Sequence, residues 1–252
     1  MVNLTVKLGM NITKNKKRVL ILGASSDIGC AVSKIFLEND WELTAHYHNN
    51  KKSLLKIDNY INKINFLKLD LRKIDFVEKY LKTNKSKIMK FDAFVNLSGY
   101  FKRTKFNNFK IKEFYDHINA NSLSSYLFIR TVLSGMKKRE WGRVVNTSSI
   151  GTKFGGGAES FCYSLSKFNN EFFPSYYKDL YSRNILINTL QIGLVNTKMQ
   201  KKLPNKNMAK RIKLIPLKRI TEKDEIAQYV YNLCIAQNSL LTGQIINISG
   251  GE

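Results

Sequence analysis

Short apolar runs of strand length alternate with helical patterns along the chain, and this alternation leaves few folds open. The runs are Val19–Gly23, Glu42–His46, Asn65–Leu69, Ala93–Leu97, Arg143–Thr147, Leu186–Gln191 and Gln244–Ile248. Helical periodicity covers Ile28–Asn39, Ile111–Lys138, Cys162–Tyr181 and Glu222–Ala236 between them. Strands that are apolar on both faces need helices above and below, which a doubly wound parallel sheet supplies. The expected class is α/β, with a sheet of about seven strands and helices on both faces.

At 252 residues, with only three prolines and no Gly/Ser-rich linker or internal repeat, one domain suffices. Residues 1–17 form an N-terminal extension, as an arm, a tail or the result of a start at Met10; residues 18–252 form the single domain. No apolar run reaches the length of a membrane span. Lys7 and Gly9 interrupt the first apolar stretch, which argues against a signal peptide. Cys30, Cys162 and Cys234 are too scattered for a disulfide framework or a metal site, so a cytoplasmic location is expected. The formal charge of +23 would attract polyanions. Yet lysines run evenly through a chain also rich in Asn and Ile, as in proteins of AT-rich genomes, and no nucleic-acid motif stands out. Neither nucleic acid nor membrane is an expected partner.

The first strand runs into Gly23-Ala24-Ser25-Ser26-Asp27-Ile28-Gly29 and then a helix. Glycine permits the tight turn, and the free N–H groups of the helix start suit a pyrophosphate, which makes the sheet Rossmann-type. Glycines at strand–helix junctions often only turn the chain; the position after the first strand raises this one above that reading. Asp70 and Leu71 follow the third strand, where a side chain can reach an adenine, although Asp70 alone reads equally as a helix cap. Asn96, Ser98 and Gly99 end the fourth strand at the topological switch point. An NAD site commonly carries an acid at the end of the second strand, but His46-Tyr47-His48-Asn49-Asn50-Lys51-Lys52 has none. NADP(H) is therefore favoured over NAD(H), with His48 and Asn49 as candidate contacts.

Tyr163 and Lys167 are four residues apart, which puts them on one face of a helix. A phenol titrates near 10, and an adjacent ammonium together with an oxidised nicotinamide would lower that value towards neutrality. Such a pair arises easily by chance in a chain rich in both residues, so context decides. Asn146-Thr147-Ser148-Ser149 lies at the end of the fifth strand, where a serine hydroxyl can donate to a substrate oxygen. Asn121 lies in the long helical pattern, where it can hold a bridging water. Gly193, Val195 and Thr197 leave the sixth strand, with Thr197 near the nicotinamide amide.

Together these motifs resemble the short-chain dehydrogenase/reductase family, in particular its members of about 250 residues that include 3-oxoacyl-acyl-carrier-protein reductases. The resemblance runs from Arg18 to Gly251 and includes the C-terminal Gly250-Gly251. It implies a reaction between a ketone and a secondary alcohol, with Asn121, Ser149, Tyr163 and Lys167 as the catalytic set and no metal. Tyr163 would pass the proton, Ser149 steady the oxygen, Lys167 tune Tyr163 and hold the ribose, and Asn121 position water for a relay to Lys167. Asp27 stands where the family has a glycine, Leu97-Ser98 where it has Asn-Ala, and Ile192 where it has proline. The Leu97-Ser98 change puts the usual polar link between strands in question, and Ser148 competes with Ser149 for the serine role.

The implied substrate is a small carbonyl or alcohol, free or carried on an acyl-carrier protein or a nucleotide. Met136-Lys137-Lys138-Arg139 and Arg183 resemble residues that dock an acidic carrier. The lid segment Lys198–Lys213 carries Lys198, Lys201, Lys202, Lys206, Lys210, Arg211 and Lys213, read either as an acidic-substrate site or as a solvated helix. A sugar-nucleotide or other small-ketone reductase is the alternative. A silent dinucleotide sensor would not need Tyr163 and Lys167, and a nucleic-acid-binding protein would not account for them. The family resemblance implies a homotetramer.

Overall fold

The computed structural model describes residues 16–173, 178–201, 208–237 and 240–252. Most of the N-terminal extension, Lys202 and Lys206 of the lid, and part of the stretch Cys162–Tyr181 lie outside the described residues.

The chain opens with β1 (Arg18–Leu22), α1 (Asp27–Glu38), β2 (Glu42–Tyr47), β3 (Ile64–Lys68), α2 (Ile74–Thr83), the single turn α3 (Lys85–Ile88) and β4 (Ala93–Asn96). It continues through α4 (Ile111–Ile118), α5 (Ser124–Arg139), β5 (Gly142–Ser149), α6 (Phe161–Phe168), α7 (Lys178–Tyr181) and β6 (Ile185–Ile192). The lid pieces α8 (Lys198–Lys201) and α9 (Met208–Leu214), then α10 (Lys223–Ile235) and β7 (Ile245–Ile248), complete it. The strands form one seven-stranded parallel sheet in the order β3-β2-β1-β4-β5-β6-β7, as the apolar runs require. The order reverses between β1 and β4, so a crevice opens at their carboxyl ends.

Alternation along each strand divides the core in two. Val19, Ile21, Val95 and Val145 pack under α1 and α10, while Leu20, Leu22, Phe94 and Val144 pack under α2 and α5. Phe94 and Phe128 stack with centroids 6.1 Å apart. Two expected helices differ from their periodicity. Ile111–Arg139 is interrupted by a wide turn at Asn119–Leu123, and α6 stops at Phe168, giving way to a short tight turn at Asn169–Glu171. Both interruptions face the site.

The amino-terminal end of the sheet is fastened by Arg143, whose side chain is wholly buried. Its guanidinium donates to the Ala236 carbonyl at 2.9 Å, the Asn184 carbonyl at 2.6 Å and the Asn184 side chain at 3.0 Å, and stacks on Trp141 at 4.4 Å. It thereby ties β5 to the chain after α10. Replacing Arg143 with Leu leaves the Ala236 carbonyl without its donor. A loss on the order of 3 kcal/mol is expected, or roughly 6–12 °C in Tm by thermal unfolding.

Candidate active site

The turn after β1 is shaped by what cannot fit there. Gly23 has φ +72°, and a Cβ on it would sit 2.6 Å from the Leu97 carbonyl oxygen. A Cβ on Gly29 would sit 2.3 Å from the Gly23 carbonyl oxygen, so α1 starts hard against the turn. Ser26 caps α1, accepting the Gly29 N–H at 3.0 Å and donating to the Gly23 carbonyl at 2.8 Å. Asp27 accepts the backbone N–H of Lys198 at 2.6 Å, with the Lys198 ammonium 3.7 Å away, and so joins the turn to the start of the lid.

His46, which the sequence reading placed at the end of the second strand, is 4% exposed and points inward. Its Nδ1 accepts the Gly23 N–H at 3.0 Å, which leaves Nε2 to donate to the Leu69 carbonyl at 2.9 Å. One neutral imidazole thus fastens the ends of β1, β2 and β3. Burial pushes its pKa down to about 4. Beyond it, Tyr47, His48, Ser53, Asp70, Leu71 and Arg72 line the cleft, whereas Asn49 is not in the lining. Asp70 holds Arg72 through two contacts of 2.9 and 2.8 Å and approaches His48 at 3.4 Å. The Arg72 guanidinium keeps the Asp70 carboxyl down at about 2. Arg72 lies over the Tyr100 ring and had escaped the sequence reading, since no spacing rule marks it.

At the switch point the side chains of Asn96 and Asn146 join β4 to β5 at 2.6 Å, and the Asn96 carbonyl accepts the Thr147 hydroxyl at 2.7 Å. The polar link that Leu97-Ser98 had put in question is therefore made by Asn146 and Thr147. Asn96 is fully buried beneath the cleft, its Oδ1 also accepting the Ser98 hydroxyl at 2.6 Å. Ser98 and Gly99 line the cleft itself.

Tyr163, Lys167 and Ser149 meet on one wall of the cleft. The Lys167 ammonium donates to the carbonyls of Ser98 at 2.8 Å and Thr147 at 3.1 Å and to the Thr147 hydroxyl at 3.2 Å. Burial brings it down to about 7. Tyr163 packs edge-on against Phe101 at 5.4 Å. Burial pushes its phenol up to about 12, and a hydrogen bond with Ser149 opposes the rise. This is the reverse of the lowering expected from the sequence. The lysine is drawn to backbone carbonyls, and the positive nicotinamide in that expectation is not a group of the protein. Ser149, not Ser148, is the serine beside the phenol; Ser148 also lines the cleft but bonds Glu171.

Asn121 sits in the wide turn between α4 and α5, a backbone irregularity common at functional sites. Its side chain accepts the Tyr100 N–H at 2.7 Å and donates to the Tyr100 carbonyl and the Ser166 hydroxyl, both at 2.9 Å. The side chain expected to hold a water is thus engaged with the protein at both ends. Across the cleft, Gly193 passes so near Ser249 that a Cβ would lie 2.6 Å from its Cα. Val195, Thr197, Lys198 and the lid residue Arg211 complete the lining. The whole cleft has a volume of 1370 Å³ and runs from the glycine turn to Tyr163 and on to Phe154 and Arg103. Among the described residues no group of His, Cys, Asp and Glu could hold a metal ion, and no helix is long and apolar enough to cross a membrane.

The family described as Enoyl-(Acyl carrier protein) reductase matches residues 23–252. The chain is 27% identical to the 3-oxoacyl-[acyl-carrier-protein] reductase FabG of Buchnera aphidicola, over 96% of its own length and 98% of that protein's. It is 26% identical to the corresponding protein of Vibrio harveyi, over 93% and 96%. Among solved structures, ElxO with NADP bound superposes with a TM-score of 0.81 at 26% identity, covering 94% of this chain and 98% of that one. A short-chain dehydrogenase/reductase from Serratia marcescens superposes at 0.82 with 20% identity, covering 93% and 97%.

The His46 arrangement has a measurable consequence. Its pKa lies below the ordinary value of 6.5, so its contribution to stability is complete above 6.5 and is lost as pH falls towards about 4. Over that window the loss is on the order of 3 kcal/mol. His46→Asn keeps an acceptor near the Nδ1 position but cannot be protonated. Its Tm should fall less steeply than that of the wild type between pH 6.5 and 4.5; equal slopes would remove His46 as the titrating group.

Proposed function

The chain belongs to the short-chain dehydrogenase/reductase family, and from that premise we propose that it is an NADP(H)-dependent ketoreductase, of the 3-oxoacyl-acyl-carrier-protein type, with Tyr163 as proton donor. That it is an NAD(P)-dependent oxidoreductase acting between C=O and CH–OH follows from the family. The observation that carries the rest is one continuous cleft with the glycine turn at one end and Ser149, Tyr163 and Lys167 along its wall.

The residues present fit a dinucleotide. Gly23 and Gly29 let the turn pack so tightly against Leu97 and the start of α1 that the helix start faces the cleft, and Gly193 lets the chain after β6 pass close against Ser249. Ser25, Ser26, Asp27 and Ile28 would carry the pyrophosphate on the start of α1, with Asp70 and Leu71 by the adenine and Val195 and Thr197 by the nicotinamide. Bound there, the cofactor supplies the hydride. The absence of an acid among Tyr47, His48 and Ser53 supports acceptance of a 2′-phosphate, and ElxO is a relative solved with NADP.

Tyr163, with its proton held up to about 12, enters the reaction as a phenol and can donate to a developing alkoxide. Ser149 shares that oxygen and stabilises the charge. Lys167 opens to the cleft beside them, where its ammonium can serve both the phenol and a ribose hydroxyl. Asn121 fixes Tyr100 and Ser166 around the lysine.

The carrier reading needs one change. Arg139 is committed to the carbonyls of Met89 and Phe91, each at 2.7 Å, and to Asp92 at 3.3 Å. It supports the fold, so docking falls to Lys138 and to Arg183, whose partner Glu140 is exposed at 3.7 Å. Exposed Ile111, Tyr115 and Phe168 on the α4 and α6 side support a homotetramer, and the three free cysteines suit a reducing cytoplasm.

The test is a panel of 3-oxoacyl thioesters, keto sugar nucleotides and small ketones, followed by oxidation of NADPH and NADH. At least a tenfold higher kcat/KM with NADPH is expected, a preference of about 1.4 kcal/mol. Tyr163→Phe should lower kcat by about 10²–10⁴ with NADPH binding nearly unchanged. Wild-type turnover in that variant would refute the mechanism. Lys138→Glu with Arg183→Glu should raise KM for a carrier-bound substrate and leave the same acyl group on a small thiol unaffected. Equal kinetics on the two would leave a small-molecule reductase.

A further inference from the structure

The interruption of α6 has a second consequence, on the face of β5 that carries Ser148. Ser148 and Gln191 are paired in the β5–β6 register and point to the same face of the sheet. The sequence periodicity predicts that helix to continue across this face. Instead the chain turns at Asn169–Glu171 and brings a carboxylate inward. Glu171 Oε1 accepts the Ser148 hydroxyl, the Thr152 hydroxyl at 2.7 Å and the Gln191 amide at 3.1 Å. The same Gln191 amide donates to Thr152 Oγ1 at 2.9 Å. Ser148 is 3% and Gln191 9% exposed, so these contacts replace hydration.

The contacts converge on the residue between them. Ser148 precedes Ser149 in the chain, and Thr152 Oγ1 also lies 2.8 Å from the Ser149 carbonyl. The Thr152 proton is thus shared between the Ser149 backbone and the Glu171 carboxylate, while Gln191 holds the oxygen. The Ser149 hydroxyl itself accepts the Gly151 N–H at 3.2 Å, so its own proton remains available to point into the cleft. Ser149 ends β5 and caps the short tight turn Ile150–Phe154, after which the chain is glycine-rich to Gly157. Glu171, Thr152 and Gln191 are absent from the cleft lining, whereas Ser148 belongs to it.

We propose that Glu171 is a positioning residue for Ser149: from just beyond the end of α6 its carboxylate clamps Ser148 and Thr152, with Gln191 as brace, and so holds the serine hydroxyl at the substrate oxygen. The proposal rests on the ketoreductase reading for what Ser149 does, and on the hydrogen bonds alone for how Ser149 is held. A misplaced hydroxyl weakens a contact made in the transition state, so the effect belongs in kcat more than in cofactor binding.

The experiment is a double-mutant cycle. Glu171→Ala should lower kcat by on the order of ten- to a hundredfold with little change in NADPH affinity. Glu171→Gln, which keeps an acceptor, should recover most of that loss. In a Ser149→Ala background, Glu171→Ala should cost less than roughly a further twofold, because the two residues act as one unit. Thr152→Val breaks one arm of the clamp with a near-isosteric side chain, and serves if Glu171→Ala fails to fold. Independently of turnover, backbone amides from Ser149 to Phe154 should exchange hydrogen faster in Glu171→Ala or Thr152→Val than in the wild type. Equal loss in both backgrounds, or unchanged exchange over that segment, overturns the clamp. A wild type that reduces no carbonyl while exchange responds as stated would instead overturn the ketoreductase reading and leave the clamp standing.

Discussion

A lysine ammonium buried at the carboxyl edge of a parallel sheet is costly unless oxygen atoms are brought to meet it, and the site is built around that requirement. Lys167 is met by the carbonyl of Ser98 beyond β4 and by the carbonyl and hydroxyl of Thr147 on β5. Those oxygens must themselves be held, and the Asn96–Asn146 bond and the Thr147 hydroxyl on the Asn96 carbonyl hold them. The nearby segments are fastened in turn: the Asn170 side chain donates to the carbonyls of Asn121 at 2.8 Å and Thr147 at 3.0 Å. α6 therefore cannot shift without disturbing both strands. Tyr163, one turn earlier on α6, inherits a position fixed by its neighbour's hydrogen bonds.

The same burial acts on the two side chains in opposite directions, because each resists its charged form. The phenol rises and the ammonium falls, so the pair is driven towards a neutral tyrosine beside a lysine that titrates near neutrality. A positive cofactor ring nearby would favour tyrosinate and disfavour the ammonium. In this arrangement the charge state of the pair is set jointly by protein burial and by the oxidation state of what is bound. That gives a physical reason for the helix to place both residues on one cleft wall.

Some of this was legible in the chain alone and some was not. All seven strands follow from apolar runs, which are plainest in β1, β4, β5 and β6, where nearly every residue is buried. The Gly23–Gly29 turn, Tyr163 and Lys167 were found by type and spacing and Ser149 by the family resemblance, and the structure brings them to one cleft. The departures share another cause. The periodicity of Ile111–Lys138 does not reveal the wide turn at Asn121, because backbone hydrogen bonds can slip by one residue without altering which face is apolar. The end of α6 at Phe168 depends on partners for Asn170 and Glu171 that lie on other strands. His46 and Arg139 looked like surface residues by type, yet their partners are backbone groups distant in sequence. Side chains whose role is to satisfy distant carbonyls carry no local signature.

The surplus of 42 basic over 19 acidic residues can now be set against these details. Several acids are already paired, as Asp70 with Arg72, Asp92 with Arg139 and Glu225 with Arg219, so the excess of lysine is left to act as a diffuse field. Such a field draws any anion and speeds its arrival, but over distances beyond about 8 Å it is screened at physiological salt. It therefore cannot select a ligand. Selection requires charge in fixed positions within the cleft, and there the balance is local. Asp27, an acid at the start of α1 where a pyrophosphate would rest, is offset by the Lys198 N–H at 2.6 Å and its ammonium at 3.7 Å. The turn can thus keep a carboxylate without forfeiting the anion-binding character of the helix start, provided the lid segment stays joined to it.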